Sequence, residues 1–157
     1  MPRGHHAAYP LVVVRVVAAA GAGSPGVGPA RQTGRVRAAD FAYFDAPTPI
    51  GLAHRGGAKI AANLHLENTM SAFREAVRMG YRYLETDVHG TADGVLLAFH
   101  DLRLNRVTDK GGRIAELPYA AVESARINGT ERIPLLSDLL EEFPGARINI
   151  DVKAPGA

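Results

Sequence analysis

Glu85 and Asp87 stand two residues apart in a strand-forming stretch, YRYLETDV (81–88), so their carboxylates project from one face. Two such anions repel unless a cation or a proton lies between them. Oxygen donors of this kind suit hard cations such as Mg²⁺ or Ca²⁺. Asp151, near the end of RINIDV (147–152), can add a third carboxylate. The alternative for all three is a solvated strand end paired with arginines. His54 and His100 also follow short apolar runs, and the chain has no cysteine with which to build a thiolate metal site. These imidazoles either ligate a metal or move protons, the usual work of a side chain that titrates near neutrality. Otherwise each is an ordinary core or loop histidine. Arg55 and Lys153 bring positive charge to the same ends, either to bind a phosphate anion or to balance the acids. Gly56-Gly57 either lets backbone approach a ligand or makes a loop. His89 shares the face of Glu85 and Asp87 but is expected in the turn beyond the strand.

These residues need elements to carry them. PIGLA (49–53) reads as a buried strand stopped by His54-Arg55-Gly56-Gly57. Residues 67–79 place Met70, Phe73, Ala76 and Val77 at helical spacing, with Asn68 as N-cap and Gly80 just past the end. The strand 81–88 follows, then an Asp93-Gly94 turn and a short strand, VLLAF (95–99). Gly111-Gly112 and Pro118 mark an irregular region. Residues 134–143 form a helix with Leu135, Leu136, Leu139 and Leu140 on its apolar side, and 147–152 the last strand. Strands alternating with helices predict parallel βαβ units with right-handed crossovers. The polar residues then collect at the C-terminal ends of the strands, which in an α/β barrel is the catalytic face.

The chain has 157 residues, 46% hydrophobic and 22% charged, which suits one globular domain. It has no apolar run of 18 residues, so no typical membrane-spanning helix is expected. Residues 1–40 hold five arginines and one acid, whereas 41–157 hold 13 basic and 15 acidic side chains. The net charge of +2 therefore belongs to the leader, and the folded part offers no nucleic-acid surface. Residues 1–40, with GAGSPGVGPA at 21–30, read as a disordered or low-complexity leader. A secretory signal in residues 1–22 is the alternative, opposed by Arg15 within the apolar stretch. A cytoplasmic chain is the expectation, and a secreted one follows if that signal operates.

Seven segments then occur in a recognisable order: His54-Arg55-Gly56, Glu67-Asn68-Thr69, Glu85-Thr86-Asp87-Val88, Thr91-Ala92-Asp93-Gly94, His100-Asp101, Arg106-Val107-Thr108 and Asp151-Val152-Lys153. In these the chain resembles the glycerophosphodiester phosphodiesterases, over about residues 41–155. The resemblance implies a TIM-barrel hydrolase that cleaves glycerophosphodiesters to glycerol 3-phosphate and an alcohol. It implies His54 and His100 as acid/base pair, Glu85, Asp87 and Asp151 as ligands of a divalent cation (Mg²⁺ or Ca²⁺), and Arg55 and Lys153 as phosphate contacts. Asp151 stands where the family often has a glutamate, and Leu66 replaces a common proline before Glu67. Glu67 itself is read as a loop and helix-start residue. The nucleophile implied is the glycerol 2-hydroxyl, through a cyclic phosphate, or else water.

A TIM barrel takes ~250 residues and eight βα units. The expected fold is thus α/β, an incomplete TIM (β/α)8 barrel of roughly three βα units plus a hairpin excursion at 95–99. Residues 41–157 would be the N-terminal part of a truncated domain, weakly active alone. The partner implied is a small-molecule glycerophosphodiester, with no nucleic acid and no stable membrane insertion. Two other readings share the same residues: a non-catalytic remnant that binds a phosphate ligand or a partner, and a related phospholipase acting on lipids.

Overall fold

The computed structural model of the chain describes residues 37–153. The secretory reading falls outside the described residues, as does the leader except for a 3-10 turn at Ala38–Asp40.

The sheet is centred on β2 (Tyr83–Gly90), flanked in parallel by β1 (Leu52–Ala53) and β6 (Arg147–Val152). Helix α1 (Met70–Arg78) leads from β1 to β2, and α3 (Leu136–Glu142) leads into β6. The expected parallel βαβ units are therefore present. β3 (Leu96–Ala98) runs antiparallel to the far end of β2, pairing Val88 with Ala98 and Gly90 with Leu96. Because β6 covers the other edge of β2 through Val88, β3 lies on the β1 side, beyond the end of that short strand.

Alternation along β2 separates two faces. Leu84 and Val88, with Ile148 and Ile150 of β6, pack against Phe73 and Ala76 of α1 and against Leu139 and Phe143 of the α3 end. Phe73 is fully buried, a side chain whose burial contributes roughly 1.5–3 kcal/mol. The opposite face carries Tyr83, Glu85 and Asp87, matched in register with Arg147, Asn149 and Asp151. At its N-terminal end, the Tyr83 hydroxyl donates to the Tyr43 carbonyl and Arg147 lies over the Tyr83 ring.

Several boundaries moved for local reasons. α1 begins at Met70 because Asn68 is in the left-handed region (φ 57°) and Thr69, not Asn68, is the N-cap, accepting from the Ala72 N–H at 3.2 Å. It ends in a Schellman motif: Gly80 (φ 93°) donates to the Val77 carbonyl and Tyr81 to that of Ala76. Tyr81 is thus used up by the cap, and β2 starts at Tyr83. Val77 is exposed rather than on the packed stripe, where Ala72 takes its place. His89 lies inside β2, paired with Leu97, not in the turn.

Between β3 and α3 the chain builds α2 (Tyr119–Val122) and the small hairpin of β4 (Arg126–Ile127) and β5 (Glu131–Arg132), which the irregular reading of that region lacked. This excursion has its own core of Leu97, Phe99, Leu104, Ile114, Val122, Ala125, Ile127 and Ile133.

Candidate active site

The turn after β1 aims two groups at Glu85. His54, Arg55 and Gly56 form one 3-10 turn in which Arg55 has a left-handed backbone (φ 51°, ψ 43°). That conformation is costly for a residue with a side chain. It turns the Arg55 N–H onto Glu85 Oε2 at 2.7 Å, with His54 Nε2 4.0 Å from the same oxygen. A Cβ on Gly56 (φ 73°) would lie 3.1 Å from the Phe73 ring and 3.2 Å from the Ala72 Cβ, so this glycine serves close packing on α1. Burial pushes the Glu85 carboxyl above its ordinary pKa; the Arg55 N–H pulls it back and Asp87 pushes it further up. Among the described residues, no lysine or arginine side-chain nitrogen lies within 4.0 Å of the Glu85 carboxylate.

Asp87 is 1% exposed and has cations on both sides. Lys153 Nζ lies 3.0 Å from one oxygen and Arg55 Nε 3.4 Å from the other. That Arg55 Nε is buried and makes no hydrogen bond. Asn68 Nδ2 donates to Asp87 Oδ2 at 3.1 Å while its Oδ1 accepts from Thr86 at 2.9 Å. Asp151, directly opposite Asp87 across the parallel pair, receives Lys153 Nζ at 2.6 Å. Burial lowers the Lys153 pKa, and its bonds to Asp151 and Asp87 outweigh this and leave it above its ordinary value.

A second cluster joins the excursion to the α1 entry. His100 Nδ1 is 2.6 Å from Asp101 Oδ1, and Arg106 bonds both oxygens of Asp101 and both of Glu67. Arg55 Nη1 reaches Glu67 as well, at 3.4 Å. The buried His89 donates from Nε2 to the His100 carbonyl at 3.0 Å. The Arg106 bonds, with help from His100 and against some burial, hold the Asp101 carboxyl down at about 2.

The residues picked from sequence are thus linked in one contact chain: His54 to Glu85, Arg55 to Glu85, Asp87 and Glu67, Lys153 to Asp87 and Asp151, and Glu67 through Arg106 and Asp101 to His100. The trio of His and acid ligand atoms that close to within 4.8 Å of one another, among the described residues, is Glu67, His100 and Asp101. Glu85, Asp87 and Asp151 do not close to that spacing, and Lys153 stands between the two aspartates. Four residues of these two clusters carry no site role in the sequence reading. In the sequence Glu67 reads as a loop and helix-start residue, and Asn68 as a cap. For Arg106 and Asp101 the one sequence signal is membership of an ordered motif segment.

A parallel sheet with helices on one face and polar groups gathered at the strand ends on the other is the build of the opening units of a (β/α)8-barrel enzyme. The comparisons with known proteins narrow this class. The sequence profile of the Glycerophosphoryl diester phosphodiesterase family matches residues 54–157, and the chain belongs to that family. The "Probable glycerophosphodiester phosphodiesterase 2" of Mycobacterium tuberculosis is 41% identical over 108 residues, covering 69% of this chain and 40% of that one. A lysophospholipase D of Rattus norvegicus is 37% identical over 115 residues, 65% of this chain and 35% of its own length. The structure of an Oleispira antarctica phosphodiesterase in complex with the product sn-glycerol-3-phosphate superposes with a TM-score of 0.59 at 30% identity, over 65% of this chain and 43% of that one. The chain therefore spans less than half the length of these relatives. No helix among the described residues is long and apolar enough to cross a membrane.

Proposed function

We propose that the chain carries the phosphodiester-hydrolysing centre of its family, with His54 and His100 as the proton-transfer pair. The observation that carries this reading is the buried carboxylate face of β2, with the His54 turn on one side and the His100 loop bonded to its far end. One imidazole takes the proton from the attacking hydroxyl, and the other gives a proton to the alkoxide that leaves phosphorus. General acid–base catalysis of this kind supplies about 10²–10⁴-fold.

Glu85, Asp87 and Asp151 would hold a divalent cation, which when bound withdraws charge from the phosphoryl oxygens. The donor chemistry suits a hard cation, all oxygen, buried at Glu85 and Asp87, with no lysine or arginine side chain on the Glu85 carboxylate, and the three groups would close on one ion with Lys153 moved from between the two aspartates. Arg55 and Lys153 place a guanidinium and an ammonium beside Asp87, where both can also meet a phosphate oxygen. The substrate of the proposal is a glycerophosphodiester. The likeness to a lysophospholipase D favours a lipid-bearing diester as second reading, with the same bond broken.

Hydrolysis of glycerophosphocholine and of a lysophospholipid, with Mg²⁺, Ca²⁺ or chelator, tests this on the chain and on a version extended to the length of its relatives. We expect cation-dependent turnover that falls about 10²–10⁴-fold in His54→Ala and in His100→Ala, with cation binding retained. Full turnover in either variant removes that histidine from the pair. Turnover indifferent to chelator removes the cation.

A further inference from the structure

Asp101 has no part in the proton transfers above, yet it holds the ring of one of the two groups that make them. We propose that Asp101, clamped by Arg106, is a positioning residue that fixes the His100 imidazole with its proton on Nδ1 and leaves Nε2 free for proton transfer. The proposal rests on the reading of His100 as a member of the acid/base pair.

The geometry is that of a carboxylate fixed from behind. Arg106 Nε donates to Asp101 Oδ2 at 2.6 Å and Nη2 to Oδ1 at 2.9 Å, a two-pronged grip that sets the plane of the carboxylate. Its Oδ1 then has a lone pair left for His100 Nδ1 at 2.6 Å. An ionised carboxylate can only accept, so the ring nitrogen facing it must carry hydrogen. The depressed pKa of Asp101 keeps it in that form across the neutral range. Arg106 is itself anchored, since Nη1 reaches Glu67 Oε2 at 3.1 Å and Nη2 reaches Glu67 Oε1. The backbone is set independently by His89, whose Nε2 donates to the His100 carbonyl. The ring and the backbone of His100 therefore have separate restraints, Asp101 on the one and His89 on the other. In unrelated hydrolases an acid that fixes the tautomer of a catalytic imidazole is worth up to ~10⁴-fold in kcat.

A merely structural network, one that staples the excursion to the α1 entry, would hold the loop without caring which nitrogen is protonated. Asp101→Asn separates the two. With its oxygen kept on Arg106 Nε, the amide presents an N–H to Nδ1, and the His100 proton must move to Nε2. The experiment is ¹⁵N NMR of the histidine-labelled chain at a pH where the ring is neutral, alongside kcat and KM for glycerophosphocholine. Expected are Nδ1 protonation in the parent, Nε2 protonation in D101N, and a kcat loss of ~10²–10⁴-fold with KM little changed. Asp101→Ala, which removes the acceptor altogether, should shift the tautomer the same way. Arg106→Lys, which keeps charge but loses the fork, should lose less than D101N.

A His100 ring that keeps its proton on Nδ1 in both D101N and D101A overturns the proposal, as does an unchanged kcat in both. If the parent and His100→Ala turn over alike, the functional reading of His100 fails. The tautomer measurement then decides the positioning claim alone, since it needs no turnover.

Discussion

The molecule contains two cores built by different means. Around β2, β6, α1 and α3, apolar residues recur with the periods of strand and helix and close a single layer of packing. In the excursion between β3 and α3, a core of similar residue types is closed by turns, one four-residue helix and strands of two residues. The first supplies Glu85, Asp87 and Asp151 from strand register, with Lys153 just past the end of β6. The second supplies His100, Asp101 and Arg106, whose positions depend on side-chain bonds. The two meet through the β2–β3 pairing and a few further links, among them Phe99 N–H to the Asp87 carbonyl at 2.9 Å, Ala98 N–H to that of Pro134 at 2.9 Å, His89 to His100, and Arg106 to Glu67. The candidate site is the seam between a scaffold and a loop-built arm.

That contrast breaks most directly by emptying each core in turn. Phe73→Ala removes a fully buried ring shared by α1 and the α3 end, and should cost about 3–5 kcal/mol of global stability, read from the denaturant midpoint. Ile127→Ala empties part of the excursion core and should cost about 2–5 kcal/mol, but locally. Hydrogen exchange distinguishes them. In Phe73→Ala protection should fall at Leu84 and Thr86 and in the excursion alike, whereas in Ile127→Ala it should fall at Leu97, Leu104 and Ile114 while Leu84 and Thr86 keep theirs. Equal loss at both sets of amides in Ile127→Ala would merge the two cores into one cooperative unit.

The same division explains what could be read in the sequence. The amphipathic face of α1, the carboxylate face of β2 and the parallel pairing of β6 follow from periodicity, because regular elements repeat their geometry. Thr69 as cap and Asn68 as a left-handed bridge do not follow, since both residues are good caps and only the tertiary bond to Asp87 decides between them. α2 and the β4–β5 hairpin are too short to leave a period. His89 lies in the sheet because β3 extends the pairing of β2 beyond the parallel region, a non-local fact. Arg106 and Glu67 are 39 residues apart, and no local pattern brings such a pair together.

Asn68 sharpens the comparison on the scaffold side. Its amide donates to Asp87 and accepts from Thr86 in a site closed to water. Asn68→Ala leaves both partners short of a bond and should cost about 1–3 kcal/mol. Asn68→Asp keeps the shape but sets a carboxylate against the buried Asp87 and removes the donor. It should be the more damaging of the two at neutral pH. Chemical denaturation of both variants checks this, and an N68D chain as stable as N68A would mean that donation to Asp87 carries no weight.

The smallest effect lies in the arm, and its sign is fixed by Asp101. Hydrogen bonding from Arg106, chiefly, lowers this carboxyl from 3.8 to about 2 in the folded chain. A group depressed on folding binds its proton more tightly when unfolded, so it stabilises the fold while ionised. That contribution is complete above about pH 4 and drains away as the pH falls through about 2. Asp101→Asn lacks it throughout. The melting midpoint of the parent should therefore exceed that of D101N by at most a few degrees at neutral pH, and the gap should close between about pH 4 and pH 2. A gap that persists unchanged to pH 2 would assign the difference to packing in the excursion rather than to the charge that Arg106 grips.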